Sequence, residues 1–258
     1  MKTALGSISA IVITRNEESN IAACLASLSW VDEIIVVDSG STDKTVSIAK
    51  RFTKRVFPRA WEGFGAARNF AIAKATSDWI LWVDADERVT TDLLTEIQAV
   101  IHGGAQANAY SLPRKANFLG RWILHCGWYP GRVVRLFRKG TGRFTEHRVH
   151  ERLEVQGHVG QLRSDLLHFT DPNLFHYFEK FNRYTSLAAE ELVADGKAFG
   201  LWQLVAKPWW MFIRMFILRR GYLDGVQGFI LCVVSACYVF TKYAKLWERQ
   251  SKGATNHE

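Results

Sequence analysis

The stretch DWILWVDADERV, from Asp78 to Val89, runs from bulky apolar residues straight into Asp84, Asp86 and Glu87. Apolar runs of this kind become buried strands, and carboxylates are among the side chains least often buried without a partner. Alternate side chains of an extended segment share a face, so Asp84 and Asp86 are expected to point the same way. Two such carboxylates repel unless one is protonated or a cation lies between them. A hard divalent ion resolves the conflict, because Mg²⁺ takes one or two carboxylates and completes its shell with substrate phosphates. A solvated turn whose acids cap backbone amides is the plain alternative for this motif taken alone. Glu87 is expected to be a solvated neighbour.

Two further apolar runs end in polar groups. ISAIVIT (8–14) stops at Thr14 and continues into Arg15 and Glu17, and DEIIVVD (32–38) stops at Asp38 before a Ser/Gly turn. Arg68, in GFGAARNFAI, brings a cation on the segment leading to DWILWVD. Taken one at a time, Asp38 is a helix cap and Arg68 a surface arginine. Three strand ends carrying these groups together favour a nucleoside-diphosphate site over three separate caps.

The intervening segments must position these ends. IAACLASL has helical spacing, with Ser19 or Asn20 as its N-cap, and a second helix is expected to be capped near Ser41 or Thr42. ARNFAIAKAT predicts a third helix. Strands alternating with helices at this pace imply an α/β fold, with a mostly parallel sheet covered by helices on both faces. Ligands of such sheets collect at the carboxyl ends of the strands, where Thr14, Asp38 and Asp84 stand. Residues 105–170 are expected to form strands and loops, and the chain turns helical again near 173. After Gly200 it becomes basic, aromatic and strongly apolar. The expected organisation is a catalytic region over 1–200 (a nucleotide-binding half 1–105, an acceptor half 106–200) and a helical membrane-associating region over 201–258.

The 258 residues are 48% hydrophobic and 22% charged, enough to bury a core and too apolar for a disordered chain. The formal net charge of +8 points to an anionic partner without choosing among nucleic acid, a membrane surface and a phosphorylated substrate. Cys24, Cys126, Cys232 and Cys237 show no metal-ligand spacing and are expected to be reduced thiols. The N-terminal residues reach charged groups too early for a signal peptide, so a cytoplasmic location is expected.

The ordered set ISAIVITRNEESNI, VDEIIVVDSGSTDKT and GFGAARNFAIAKATSDWILWVDADERV resembles the inverting, family-2 glycosyltransferases of the GT-A fold. By that resemblance, Thr14, Glu17, Asp38 and Arg68 line the base and ribose pocket. Asp84 and Asp86 form the DxD pair that holds a divalent cation, Mg²⁺ or Mn²⁺, on the diphosphate. Many relatives carry a second Asp where this chain has Ser39. The resemblance also implies a general base downstream: Glu151 in RVHERL, with Glu146 as runner-up, and an ordinary strand glutamate as the bland alternative. A positioned carboxylate of this kind contributes about 10²–10⁴-fold. His168 is a weaker candidate, for a metal or phosphate contact.

In the last sixty residues, PWWMFIRMFILRR is apolar nearly all round, and GVQGFILCVVSACYVF is apolar but shorter than the roughly 20 residues of a spanning helix. Their flanking Trp, Tyr, Lys and Arg fit helices lying in a membrane interface, peripheral or monotopic on the inner membrane. Lys207, Arg214, Arg219 and Arg220 would each add about 1 kcal/mol near an anionic surface. This region resembles the lipopolysaccharide inner-core glucosyltransferases of Gram-negative bacteria. That implies a UDP-glucose donor and a lipid-anchored, anionic acceptor in the heptose region, presented at the cytoplasmic face of the membrane. A polyprenyl-phosphate acceptor and a non-catalytic membrane-surface binding protein are the alternatives. Nucleic-acid binding is not expected, since no stacking or helix-turn-helix pattern accompanies the charge.

Overall fold

The computed structural model describes residues 6–145 and 152–255. In chain order the elements are β1 (Ile8–Thr14), α1 (Ile21–Ala26), β2 (Glu33–Asp38), α2 (Thr45–Ala49), β3 (Val56–Pro58), α3 (Phe64–Lys74), β4 (Trp79–Asp84), β5 (Glu87–Val89) and α4 (Thr91–His102). There follow β6 (Ala109–Leu112), β7 (Arg114–Phe118), β8 (Arg121–Ile123), β9 (Val133–Arg138), β10 (Gly142–Phe144), β11 (Leu153–Val155), β12 (Val159–Gln161) and β13 (Leu166–Asp171). The chain ends in three helices, α5 (Leu174–Ala194), α6 (Trp202–Ile213) and α7 (Gly225–Thr255). A π-helical turn (Arg214–Leu218) and a 3₁₀ turn (Gly221–Asp224) separate the last two. Two compact units result: one takes the described residues up to Arg114 and from Gly131 to His168, the other takes Lys115–Pro130 and everything from Phe169 on.

In the first unit seven strands form one mixed sheet in the order β12-β6-β9-β4-β1-β2-β3. β1 pairs in parallel with both β2 and β4, whereas β9 runs antiparallel between β4 and β6. Alternation explains the layers. Ala10, Val12, Leu81 and Val83 face one side and pack with Leu25 of α1 and with Leu93, Ile97 and Ile101 of α4. Ile11, Ile35, Val37 and Ile80 face the other side, against Ala67, Ala71 and Ala75 in and just beyond α3. Small residues on that face let α3 lie close to the strands. The expected parallel α/β sheet and the strand-rich middle are both present.

Local details differ from the sequence reading. Ser41 and Thr42 do not cap α2, which begins at Thr45. The Ser41 hydroxyl instead accepts from the Asn16 backbone N–H at 2.8 Å, and Thr42 N–H donates to Asn16 Oδ1 at 2.8 Å. Asn16 adopts a left-handed φ of 54°, a conformation asparagine tolerates better than most residues. Glu18 N–H donates to Asp43, and Lys44 N–H to Glu18, so the loops after β1 and β2 are stitched together. The turn residues were needed to hold this rim rather than to start a helix.

In the second unit, α7 spans 31 residues, about 46 Å at 1.5 Å per residue. Its apolar stretch GVQGFILCVVSACYVF is by itself shorter than the roughly 20 residues of a spanning helix. The helix continues through the amphipathic TKYAKLWERQ, and Gly221–Ser251 is long and apolar enough to span by length and composition. α6 buries none of its residues fully, and Trp202, Val205, Trp209 and Trp210 are all more than half exposed.

Two glycines let the turn between these helices fold tightly. A Cβ at Gly228 would sit 2.2 Å from the Gly221 carbonyl oxygen, and one at Gly221 would sit 2.8 Å from both Cys126 Sγ and Cys232 Sγ. Gly228→Ala should therefore destabilise the protein by about 1–3 kcal/mol, as overpacking typically does. That corresponds to a melting-temperature loss of about 2–4 °C per kcal/mol for a chain of this size. A melting curve superposable on the parent's would show that this backbone contact is looser than described.

Candidate active site

The carboxyl ends of β1, β2 and β4 form one row: Thr14 lies beside Asp38 in the β1–β2 register, and Ile13 beside Asp84 in the β1–β4 register. Asp38 and Thr14 are buried there. Asp38 accepts from the backbone N–H groups of Gly40 and Ser41 at 3.1 and 3.0 Å and from the Ser41 hydroxyl, so it closes the turn that follows β2. Gly40, at φ 84°, supplies the left-handed step in that turn. The Thr14 and Ser39 hydroxyls are buried and have no hydrogen-bond partner among the described residues, an expensive state unless something else satisfies them. Glu17 accepts from the Asn20 amide at 2.9 Å, and its own N–H donates to Thr45 Oγ1 at 2.7 Å.

β4 ends at Asp84, and Ala85 and Asp86 form a turn into β5. Strand alternation therefore stops before Asp86, and the two acids take different partners rather than a shared one. Asp84 continues the Ile80–Trp82 face of β4, where the Arg68 side chain from α3 meets its Oδ1 at 3.1 Å. Arg135 from β9 meets its Oδ2 at 2.8 Å. Both guanidinium groups lie over the Trp82 ring, at 4.3 and 3.4 Å from its centroid. Asp86 instead pairs with His168 Nε2 at 3.2 Å. His168 is brought there because β13 runs antiparallel to β5, with His168 opposite Glu87.

Glu87 is not the solvated neighbour expected from the sequence. Its side chain is fully buried, ion-paired with Arg135 and 3.7 Å from Arg114, and accepts from the Asp84 N–H at 3.0 Å. The chain thus supplies the counter-charge that the acidic stretch lacks locally. Arg135 reaches inward because the β6–β9 pairing slips between Tyr110 and Ser111, leaving Arg135 as the additional residue of a bulge. Bulges re-aim side chains in this way. Flanking residues Val134 and Leu136 then keep to opposite core layers.

The electrostatics follow from this packing. Burial works against ionisation of Asp84, but the guanidinium groups of Arg135 and then Arg68 outweigh it and hold the carboxyl well below the usual range. For Glu87, burial dominates, opposed by Arg135 and reinforced by Asp84, and the carboxyl is pushed up. Arg135 is itself held more firmly protonated: its burial is outweighed by Glu87 and Asp84.

Among the described residues no group of three or more His, Cys, Asp or Glu side chains is placed to hold a metal alone. Asp86 and His168 still offer a carboxylate and an imidazole side by side, each partly exposed. One or two protein ligands completed by phosphate oxygens are the ordinary arrangement for a divalent ion on a nucleotide, and of the two groups here the carboxylate is the one matched to Mg²⁺ or Mn²⁺. Glu151 and its runner-up Glu146 lie outside the described residues.

Residues 9–156 match the profile of glycosyl transferase family 2. The chain is 29% identical over 251 residues to the lipopolysaccharide core biosynthesis glycosyltransferase LpsC of Rhizobium meliloti (strain 1021), covering 95% of this chain and 93% of that protein. An uncharacterized glycosyltransferase of Rickettsia typhi is 30% identical over 257 residues, covering 95% of this chain and 88% of that one. Among solved structures, S. aureus TarS 1–349 aligns with 17% identity and a TM-score of 0.46, over 96% of this chain and 92% of that one. M. tuberculosis glucosyl-3-phosphoglycerate synthase in complex with Mn²⁺ and UDP-glucose aligns with 25% identity and a TM-score of 0.35, over 43% and 44%. The chain belongs to glycosyl transferase family 2. It is a glycosyltransferase with the mixed, mostly parallel sheet of the GT-A fold.

Removing one member of the buried network should be costly. Arg135→Met strands Glu87 without its main partner and should destabilise the protein by about 3–5 kcal/mol at neutral pH. Its stability should then rise as the pH falls, because the raised folded-state pKa of Glu87 means the folded protein binds more protons than the unfolded chain. Adding Glu87→Gln should recover part of the loss. Urea titrations of both variants across pH check this; a pH-independent loss under about 1 kcal/mol would contradict a buried charge network.

Proposed function

We propose that this glycosyltransferase works with inversion and a divalent cation, moving glucose from UDP-glucose to a lipid-anchored saccharide in the heptose region of lipopolysaccharide inner core. The observation that carries the reading is the division of labour in DADE. Asp84 and Glu87 are taken by arginines, while Asp86 has no arginine partner among the described residues and faces His168 at the open end of the sheet. Asp86 and His168 would hold the cation. When bound, the ion supplies charge neutralisation on the diphosphate leaving group, worth several kcal/mol.

The remaining roles follow the same edge. Thr14, Glu17 and Asp38 would contact the nucleoside, and the unpartnered Thr14 hydroxyl gives one of them a specific need for a ligand. Arg68 and Asp84 would border the diphosphate, with Arg68 oriented by Asp84 and Trp82. Glu151 would take the proton from the attacking acceptor hydroxyl. An inverting transfer needs one such displacement, in which the new glycosidic bond forms as the bond to the nucleoside diphosphate breaks. The likeness to LpsC over nearly the whole chain supports an acceptor in lipopolysaccharide core synthesis.

Residues 201–258 would attach the enzyme to the cytoplasmic face of the inner membrane. Support comes from α6, whose tryptophans are exposed although such residues bury well, and from Ile217 and Leu218 beyond it. The length of α7 favours a second reading with an acceptor such as polyprenyl phosphate, held deeper in the bilayer. Parallel assays with core-saccharide lipid and with polyprenyl phosphate separate the two.

Asp86→Asn should lower transfer by about 10²–10³-fold with the fold intact, the equivalent of several kcal/mol of lost leaving-group stabilisation. EDTA should abolish transfer by the parent enzyme, and Mn²⁺ or Mg²⁺ should restore it. Full turnover by the variant, or in EDTA, would remove the cation from the reaction.

A further inference from the structure

The second unit contains a cavity of about 400 Å³ bordered by α5, α6, α7 and the loop after β8. Met211, Met215, Trp128 and Val239 give it an apolar wall, and Arg214 and Arg219 are the only charged residues lining it among the described residues. Among the described residues neither guanidinium has a hydrogen-bond or ion-pair partner, in a unit where Asp171 and Asp224 are already taken by His176, Lys180 and His125.

The backbone is bent to bring these two arginines to one cavity. Residues five apart on an α-helix point about 140° away from each other at 3.6 residues per turn. Here Arg214–Leu218 form a π turn, closed by Arg219 N–H donating to the Arg214 carbonyl at 2.8 Å. The wider turn stacks residue 219 near residue 214, and such turns occur often at functional sites. The Arg219 stem passes over Gly127, which has φ 80°. Met211 and Met215, one helical turn apart, continue the lining inward as flexible apolar side chains that adapt to a chain of variable shape.

We propose that this cavity binds a single anionic membrane amphiphile, its phosphate monoester between Arg214 and Arg219 and its acyl chain along Met211, Met215 and Val239. Paired guanidinium groups suit phosphate oxygens, and an apolar wall behind them suits hydrocarbon better than a free ion or a hydrophilic phosphopeptide. The inference rests on the membrane-seated part of the proposed function, but it assigns a specific lipid site rather than general surface attachment.

The test uses the full chain and dihexanoyl phosphatidate, which is soluble as a monomer, with dihexanoyl phosphatidylcholine and inorganic phosphate as the other arms. Phosphatidate should raise the melting temperature in a saturable way, and the other two should not. Arg214→Gln/Arg219→Gln should weaken phosphatidate binding about tenfold or more, the loss expected of charge-assisted contacts. Met215→Trp, which fills the cavity and keeps both arginines, should weaken it as well. Co-sedimentation with phosphatidylcholine vesicles should persist in both variants, because the exposed tryptophans of α6 are untouched. Parent protein that ignores these vesicles yet still binds phosphatidate would remove the membrane reading and leave the cavity assignment standing. Equal protection by inorganic phosphate would show an anion site without a chain, and undiminished binding by both variants would place the lipid elsewhere; either overturns the proposal.

Discussion

Inside the first unit the guanidinium of Arg135 lies over the Trp82 ring, between Asp84 and Glu87, and almost wholly out of water. Burying a charge costs several kcal/mol even after relaxation, so such a group persists only where both of its partners are fixed. That constraint reaches through the surrounding fold. β4 has to end at Asp84, the turn has to return Glu87 beneath it, and β9 has to bulge where Arg135 turns inward. Arg68 must arrive from α3, which the alanines of that helix permit by letting it lie close to the sheet. With these charges matched inside the protein, Asp86 alone of the three acids is left without an arginine among the described residues.

Much of the first unit was legible because its signals are local. Three apolar runs punctuated by polar residues specified parallel strands, and their carboxyl ends fell together, Thr14 beside Asp38 and Asp84 beside Ile13. α4 was not among the helices expected from the sequence, although Thr90 caps it at the Leu93 N–H and Leu93, Ile97 and Ile101 share one face. What sequence could not supply were pairings across 16 to 51 residues, such as Arg68 and Arg135 with Asp84. One clue was present: an arginine inside VVRLF has no local partner and must find a carboxylate. Alternation misled at Asp86 because it holds only while the strand continues. Ser41 and Thr42 misled because a turn can use its hydroxyls to bind a neighbouring loop as well as to start a helix.

The second unit follows a different logic. Its three helices bury a modest seam around Leu231, Cys232 and Leu246 and leave large aromatic faces outward. Tight glycine packing at Gly221 and Gly228 fixes the reversal between α6 and α7. The π turn just before it aims charge at an apolar cavity. There the helix outlasts its apolar stretch: Lys242, Lys245 and Arg249 continue it, with Lys245 donating to Asn182, Thr185 and Ser186 of α5.

Under the proposed function, Asp86 and His168 would form the protein's share of a cation site that is completed by a nucleoside diphosphate. Calorimetric titration of UDP into the enzyme, with and without Mn²⁺, addresses it without requiring the acceptor. UDP should bind strongly only with Mn²⁺ present, and Asp86→Asn should abolish that metal dependence while a Glu18→Gln control on the neighbouring rim retains it. Equal UDP affinity with and without Mn²⁺, or unchanged metal dependence in Asp86→Asn, would contradict it.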